Sequence, residues 1–298
     1  MKNKGKKITL IIVLSIIAIL LLGLMIFFIV SKNNNLEVSL IGIGDKTEMI
    51  FQNEYNPEDF ESINVDMSST AVKIQETNTD KIKVTVYGEK DDKINATINE
   101  RELSINKENN KVFILTFLYW CNEEIIIEIP NNSDQDFKVK TSSGDITAPD
   151  LETSDIQFET SSGNIVCGNI NNGTVKSTSG DITLENGNEL TVSSTSGEIK
   201  VGKFNKIIAN ATSGDISVTK IEKYCEISST SGKIDIDTCN ITENSSISAT
   251  SGDVKINNKN DIYIETETGS GDANIENNNR KADIELKIKT TSGNIKVN

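Results

Sequence analysis

One short phrase recurs nine times between Thr141 and Asn298: a small residue, Thr or Ser (Gly269 in one copy), then Ser-Gly, a polar residue and an aliphatic one. Its glycines are Gly144, Gly163, Gly180, Gly197, Gly214, Gly232, Gly252, Gly271 and Gly293, spaced 17 to 22 residues apart. A period of that size marks a solenoid, because a unit so short cannot bury its apolar face alone and must stack on its neighbours.

Counting from each glycine exposes the internal register. Two places after it stand Ile146, Ile165, Ile182, Ile199, Ile216, Ile234, Val254, Ala273 and Ile295. Four places after stand Ala148, Cys167, Leu184, Val201, Val218, Ile236, Ile256, Ile275 and Val297. Five places before it the column is apolar from Val139 to Ile288, with Thr266 as the exception. Intervening positions such as Lys138, Gln157, Thr174 and Thr191 are polar, and this alternation is that of a half-buried strand. Each coil therefore reads as two strands meeting at the Ser-Gly corner, with a looser far-side turn such as Asn171-Asn172-Gly173. The fold expected is an all-β parallel solenoid of nine or ten coils. At ~4.8 Å per coil, such a stack is on the order of 45 Å long. Right-handed crossovers are the default for parallel strands.

The corner has its own logic. Glycine suits a turn with positive φ, where a Cβ clashes. The hydroxyl three residues earlier can bond along the stack, and the following Asp, Asn, Glu or Lys can cap the turn. The same columns appear once before the phrase does, in Ile63 to Ile74, if Thr70 takes the glycine position. That coil is expected to be an atypical N-terminal repeat. The strongly apolar stretch Val112–Cys121 is expected to plug that end of the stack, since an open solenoid end needs covering. At the other end the coil carrying Arg280, Lys281, Lys287, Lys289 and Lys296 is expected to be the free end, its lysines opposing strand addition.

Composition divides the chain. Ile8 to Val30 is an unbroken run of 23 apolar or small residues, enough to cross a hydrocarbon core of ~30 Å. It exceeds the roughly 7–15 residues of a signal-peptide apolar region, and Phe27–Lys32 offers no small-x-small cleavage site. Lys2, Lys4, Lys6 and Lys7 precede the run, which orients the N-terminus inward and the bulk of the chain outward. The division expected is 1–7 cytoplasmic, 8–30 transmembrane helix, 31–58 linker, 59–136 degenerate coils and cap, and 137–298 regular solenoid. No acid lies in the first 32 residues, so the rest is more acidic than the net −14 of the whole chain. So acidic a body argues against nucleic acid as a partner. There is no histidine, which removes imidazole catalysis and imidazole metal ligation. Of the four cysteines, Cys167 and Cys225 fall in apolar columns and read as buried thiols. Outside the membrane, Cys121, Cys167, Cys225 and Cys239 are also compatible with disulfides.

The segment Lys138-Val139-Lys140-Thr141-Ser142-Ser143-Gly144-Asp145-Ile146, preceded by Ile125–Pro130, resembles the bacterial putative adhesin family, a domain of unknown function rich in Thr-Ser-Ser-Gly-Asp-Ile repeats. The resemblance extends over Phe60 to Asn298. It implies a β-solenoid at the bacterial cell surface, often behind a single membrane span, and it supplies no catalytic residues. It also implies a second possible role, as an envelope-stress sensing domain.

Two sharper readings fail on the residues. The corner column Asp145, Asp181, Asp215, Asp253 and Asp272 suggests a calcium ladder, yet Glu198 and Lys233 interrupt it and a lysine repels the ion. A polysaccharide-cleaving enzyme needs paired carboxylates in a cleft, usually beside outward aromatics, whereas Phe137 and Phe158 fall in inward columns. No catalytic, cofactor or metal residue is therefore assigned. The function expected is a non-enzymatic, membrane-anchored surface module presenting a long repetitive face to a cell-envelope polymer or a membrane protein.

Overall fold

The computed structural model describes residues 37–39, 47–108, 111–113, 122–131, 133–276 and 278–298. The expected span Ile8–Val30 lies outside the described residues, as does Cys121 with most of the apolar stretch before it. Among the described residues no helix is long and apolar enough to cross a membrane. The chain forms two units. In one, Glu37–Ser39 pairs in parallel with Lys111–Phe113. The other, Thr47–Lys107 with Asn122–Asn298, is a parallel β-solenoid.

The columns of the sequence are the interior of the solenoid. Ile182 pairs with Ile199 and Ile199 with Ile216, while Val175 pairs with Val192 and Val192 with Ala209. All are buried. The far side differs from the loose turn expected there. Ile182–Ser194, Ile199–Ala211 and Ile216–Ser229 each run as one strand from one corner to the next. Two further inward columns make this possible. One holds Phe137, Ile156, Leu190, Ile207 and Cys225; the other holds Leu151, Ile170, Phe204, Ile221 and Cys239. Each large side chain so buried contributes roughly 1.5–3 kcal/mol. Outside the far bend, amides stack as ladders: Asn205 donates to Asn188 and Asn188 to Asn172.

Glycine is needed at the corners for a reason other than the one the sequence suggests. Among the described glycines only Gly271 has a positive φ, at 142°. At the others the difficulty is proximity. A Cβ added to Gly163, Gly180, Gly197 or Gly214 would lie under 3.0 Å from the carbonyl oxygen of the preceding corner glycine, a distance real Cβ atoms essentially never show. The hydroxyl three residues earlier accepts the glycine N–H, as Ser177 does from Gly180 and Ser194 from Gly197, both at 2.9 Å. Where it is threonine it also donates along the stack, as Thr160 does to the Gly144 carbonyl.

The same corner contacts fix the order of the rungs, and that order departs from the order of the sequence at both ends. Gly144 approaches Thr70, so Ile63–Ile74 does form a coil of the solenoid. It is not terminal. Ser62–Asp66 lies between Asp136–Lys140 and Glu102–Lys107, and Ala71–Thr77 lies between Ile146–Ala148 and Glu124–Pro130. Beyond that outer rung the described stack is finished by antiparallel strands. Ile94–Asn99 pairs with Glu102–Lys107, and Ile82–Gly88 pairs with both Glu124–Pro130 and Glu48–Tyr55. A half-sequestered lysine secures this end: Lys107 Nζ meets Asp92 at 2.8 Å and Glu123 at 2.7 Å. Burial pulls the Lys107 pKa down, but its hydrogen bonds to Asp92 and Glu123 outweigh this and raise it. Thr70 stands in for glycine on the rung whose outer neighbour is Glu123 and not another Ser-Gly corner; its hydroxyl donates to Glu123 at 2.8 Å.

At the far end, Gly293 approaches Gly252, and Gly271 approaches Gly293. Glu285–Thr290 therefore pairs with both Ser245–Ala249 and Tyr263–Thr268. The expected free end is corrected: the C-terminal coil is clamped inside the stack, and the end rung is Tyr263–Ile275. Lysines expected to guard an edge instead face that rung, Lys287 at 3.5 Å from Glu265 and Lys289 at 3.0 Å from Glu267. The one exception in the sequence columns, Thr266, and the small Ala273 both belong to the end rung, where Thr266 is half-buried and Ala273 exposed. The edge is partly closed by Asn278, whose side chain accepts from the Ile264 N–H at 3.0 Å and donates to its carbonyl at 2.7 Å.

Gly197→Ala should overpack its corner by ~1–3 kcal/mol, whereas Thr191→Ala on the outer face should be close to neutral. At ~2–4 °C per kcal/mol, thermal unfolding should separate the two variants by several degrees. The rung order can be read by cross-linking. Ser246 and Lys287 are direct partners, so Ser246→Cys with Lys287→Cys should form a disulfide on oxidation. Ser246→Cys with Glu265→Cys should not, because two rung spacings, ~9.6 Å, exceed the ~7 Å Cα limit for a disulfide. Peptide mass spectrometry distinguishes the two.

Candidate binding faces

The corner acids are occupied by the backbone. Asp145 Oδ1 accepts the N–H of Asn164 at 2.7 Å, and Asp181 Oδ1 that of Glu198 at 2.8 Å. Asp215 Oδ1 accepts from Lys233 and Asp253 Oδ1 from Asn294, both at 2.7 Å. Each carboxylate thus bonds the next rung rather than capping its own turn. Asp272, on the end rung, instead donates its N–H to Asn294. Among the described residues no group of three or more His, Cys, Asp or Glu side chains is placed to hold a metal ion.

Among the cavities of the described residues, two are grooves across successive rungs of the outer faces. The first, of about 450 Å³, follows a single column of rung partners: Asp155, Asn172, Glu189, Lys206 and Tyr224. Beside it run Thr174, Thr191 and Ile208, also partners rung to rung, and Glu243 closes one side. Four rung steps at ~4.8 Å make this groove roughly 20 Å long. Its polar groups are held in place. Asp155 Oδ1 accepts from the side chains of Asn171 and Asn172 at 3.0 and 2.9 Å. Lys206 Nζ stands 3.8 Å from both Glu189 and Glu243. The Tyr224 hydroxyl donates to Glu226 at 3.1 Å; burial and that carboxylate push its pKa up, so it stays protonated. The groove thus offers carboxylate, amide, hydroxyl, ammonium and phenol groups in line, with one aromatic ring at its end.

The second groove, about 660 Å³, lies on the strands after the corner and is lined by Thr183, Lys200, Ser217 and Asp235 with Glu185, Gly202, Thr219 and Asp237. Near it, Glu222 anchors a charged knot: its carboxylate meets Asn240 at 2.8 Å, Lys220 at 2.8 Å and Lys203 at 3.2 Å. The Asn240 amide first, then the Lys220 and Lys203 ammonium groups, hold its pKa at about 2, below the ordinary 4.5.

The thiols face inward. Cys167 is buried, and burial, with Asp150 and Glu185 nearby, pushes it up to about 12, leaving no thiolate to react at neutral pH. Cys225 and Cys239 are fully buried. Phe137 and Phe158 are inside, as their columns require. What the sequence reading missed is Tyr224, an outward aromatic on the first groove. Its signal was its position one residue before the apolar column that ends in Cys225.

Fold and faces together define a repeat-built parallel β-solenoid with polar grooves running across its rungs. The chain matches the family described as Toastrack DUF4097 over residues 60–188 and 187–298, and it belongs to that family. No curated protein matches it. Among solved structures it is similar to a putative adhesin from Bacteroides fragilis NCTC 9343, at 16% identity and a TM-score of 0.48, covering 86% of this chain and 100% of the other. A putative adhesin from Parabacteroides distasonis ATCC 8503 is similar at 14% identity and a TM-score of 0.48, covering 86% and 99%. A putative lipid binding protein from the same strain is similar at 14% identity and a TM-score of 0.41, covering 87% and 100%.

Glu222 makes stability fall in acid. Its folded pKa is depressed, so its contribution is complete above pH ~4.5, where the unfolded chain has released its proton, and is lost as pH falls toward 2. Denaturant unfolding between pH 5 and 2 should show a shallower loss of stability in Glu222→Gln than in the unaltered protein.

Proposed function

We propose that this chain is a non-catalytic binding module of the bacterial surface, held to the membrane by Ile8–Val30 with its solenoid outside, and that the first groove is its binding site. The observation that carries this reading is the unbroken column from Asp155 to Tyr224, which repeats at the rung spacing over roughly 20 Å. Groups spaced so regularly suit an extended polymer better than a compact small molecule. Donors and acceptors are mixed along it, with one ring for stacking, and this suits a hydroxyl-rich chain such as a cell-envelope polysaccharide. The acidic body disfavours polyanions for the same electrostatic reason that it disfavours nucleic acid.

Two measurements test this. Full-length protein in mild detergent should be retained by insoluble cell-wall polymer, and Thr191→Arg combined with Tyr224→Ala should weaken retention at least tenfold, ~1.4 kcal/mol. Thr183→Arg, in the second groove, should leave it unchanged; equal retention of all three proteins would exclude the first groove. Cross-linking in intact cells that captures only a membrane protein would move the partner to that class. Separately, protease added to intact cells should digest residues 33–298, and the mature chain should retain Lys2 to Lys7. A mature chain beginning near Ser31 would exclude the anchor.

A further inference from the structure

Apart from the Gly180 rung, where both positions are glycine, in the rungs from Gly144 to Gly232 the residues seven before and seven after the corner glycine fill the two far-side inward columns. Around Gly163 they are Ile156 and Ile170; around Gly197, Leu190 and Phe204; around Gly214, Ile207 and Ile221. All are apolar and buried. Around Gly232 they are Cys225 and Cys239, both at 0% exposure. Cys239 is the rung partner of Ile221, four residues before Cys225, so the two thiols come together in the rung interior. Both are free in this structure. We propose that Cys225 and Cys239 are a disulfide site that closes the Gly232 rung covalently across its far side.

In the closed rung the two thiols differ. The Cys225 thiol and the Ile241 N–H hold the Cys239 pKa below the ordinary thiol value against the effect of burial. Cys225 keeps its proton, its pKa raised by Cys239 and by burial. Its backbone N–H is fixed by the Ser245 hydroxyl at 3.0 Å. The oxidant is a small or protein disulfide. The thiolate of one cysteine attacks it, forming a mixed disulfide and releasing one thiolate. The other cysteine, losing its proton, then attacks the sulfur of the first and releases the second. The two cysteines lose two electrons and two protons, and the oxidant becomes two thiols. Because both sulfurs are buried once the rung has closed, this exchange precedes closure, and the finished bond is shielded from reductants. Among the described residues Cys167 has no such partner: its sulfur faces the Pro149 carbonyl at 3.8 Å.

Formation of the bond in cells rests on the surface placement proposed above; its formation in vitro does not. The full-length protein is unfolded, refolded with oxidised and reduced glutathione, alkylated with N-ethylmaleimide under denaturing conditions and digested with trypsin. Peptide Tyr224–Lys233 should emerge linked to Ile234–Lys255, with Cys167 alkylated. The oxidised protein should melt several degrees above its dithiothreitol-treated form, and that difference should vanish in Cys225→Ser and in Cys239→Ser. Alkylation of both cysteines after refolding, or linkage of either to Cys121 or Cys167, overturns the proposal. Alkylating living cells before lysis separates the two readings. A pair linked in vitro but alkylated in cells upholds the site and counts against the surface placement.

Discussion

The rest of this structure depends on how closely successive corners approach. Parallel rungs repeat at ~4.8 Å, and at the corner the Cα–Cβ direction of one rung points at the carbonyl of the rung before it. Only a residue without a Cβ lets the backbones meet, hence the column from Gly144 to Gly293. At Gly144, Gly163, Gly180, Gly197 and Gly232 the corner N–H finds its partner in the hydroxyl three residues earlier, whereas Ala211 and Ala249 stand there at two other corners. The residue after the glycine points outward, and where it is Asp or Asn it ties its rung to the next. With the corners superposed, the apolar columns are in register by construction and one continuous core follows.

A stack built this way has two ends, and each exposes a row of backbone groups and an uncovered core face. The chain leaves sequence order at both. At one end it adds Glu102–Lys107 and Glu124–Pro130 outside Ser62–Thr77 and then crosses to that coil's other side at Asp136. At the other it lays Tyr263–Ile275 outermost and returns with Glu285–Val297 to fill the gap. Neither the coil at Ser62–Thr77 nor the coil at Glu285–Val297 is left at an end. The end rung at Tyr263–Ile275 tolerates exposure because Thr266 and Ala273 replace larger aliphatic residues, and Asn278 takes up the edge groups of Ile264. Exposed ion pairs such as Lys289 with Glu267 contribute only ~0.2–1 kcal/mol each. Their value at this junction is in matching one rung to its neighbour. A second, charged clamp at Lys107 does the corresponding work at the opposite end.

Repetition also shapes the outer faces. A residue type placed once per rung becomes a line of groups at a fixed spacing, so the molecule offers periodic surfaces more readily than an enclosed cleft. The column from Asp155 to Tyr224 is such a line, with side chains positioned by their own hydrogen bonds before any partner arrives. Interior positions behave differently, because they must fill the core. Cys225 and Cys239 stand beside Ile207 and Ile221 of the preceding rung and bring two thiols together where the other described rungs have none.

The all-β solenoid, its inward columns at two and four places after the glycine and five before it, and the extra coil centred on Thr70 were all legible from the sequence. Each depends on local alternation and a repeated corner, which the chain writes out in order. The burial of Cys167, Cys225, Phe137 and Phe158 followed from the same count. The reason for the glycines was misread, since close approach between rungs and positive φ within one rung both select glycine and only neighbouring backbones distinguish them. The groove at Tyr224 and the pairing of Cys225 with Cys239 were out of reach because both depend on the far-side bend, where Asn-rich sequence looked like loop but runs as continuous strand. Rung order was out of reach for a more general reason. Every rung presents the same columns, so sequence determines what a rung is, while the choice of neighbour belongs to the tertiary structure. That choice is made by long-range fit between rungs, Lys287 and Lys289 against Glu265 and Glu267 among them, and by which rung can best bear an uncovered face.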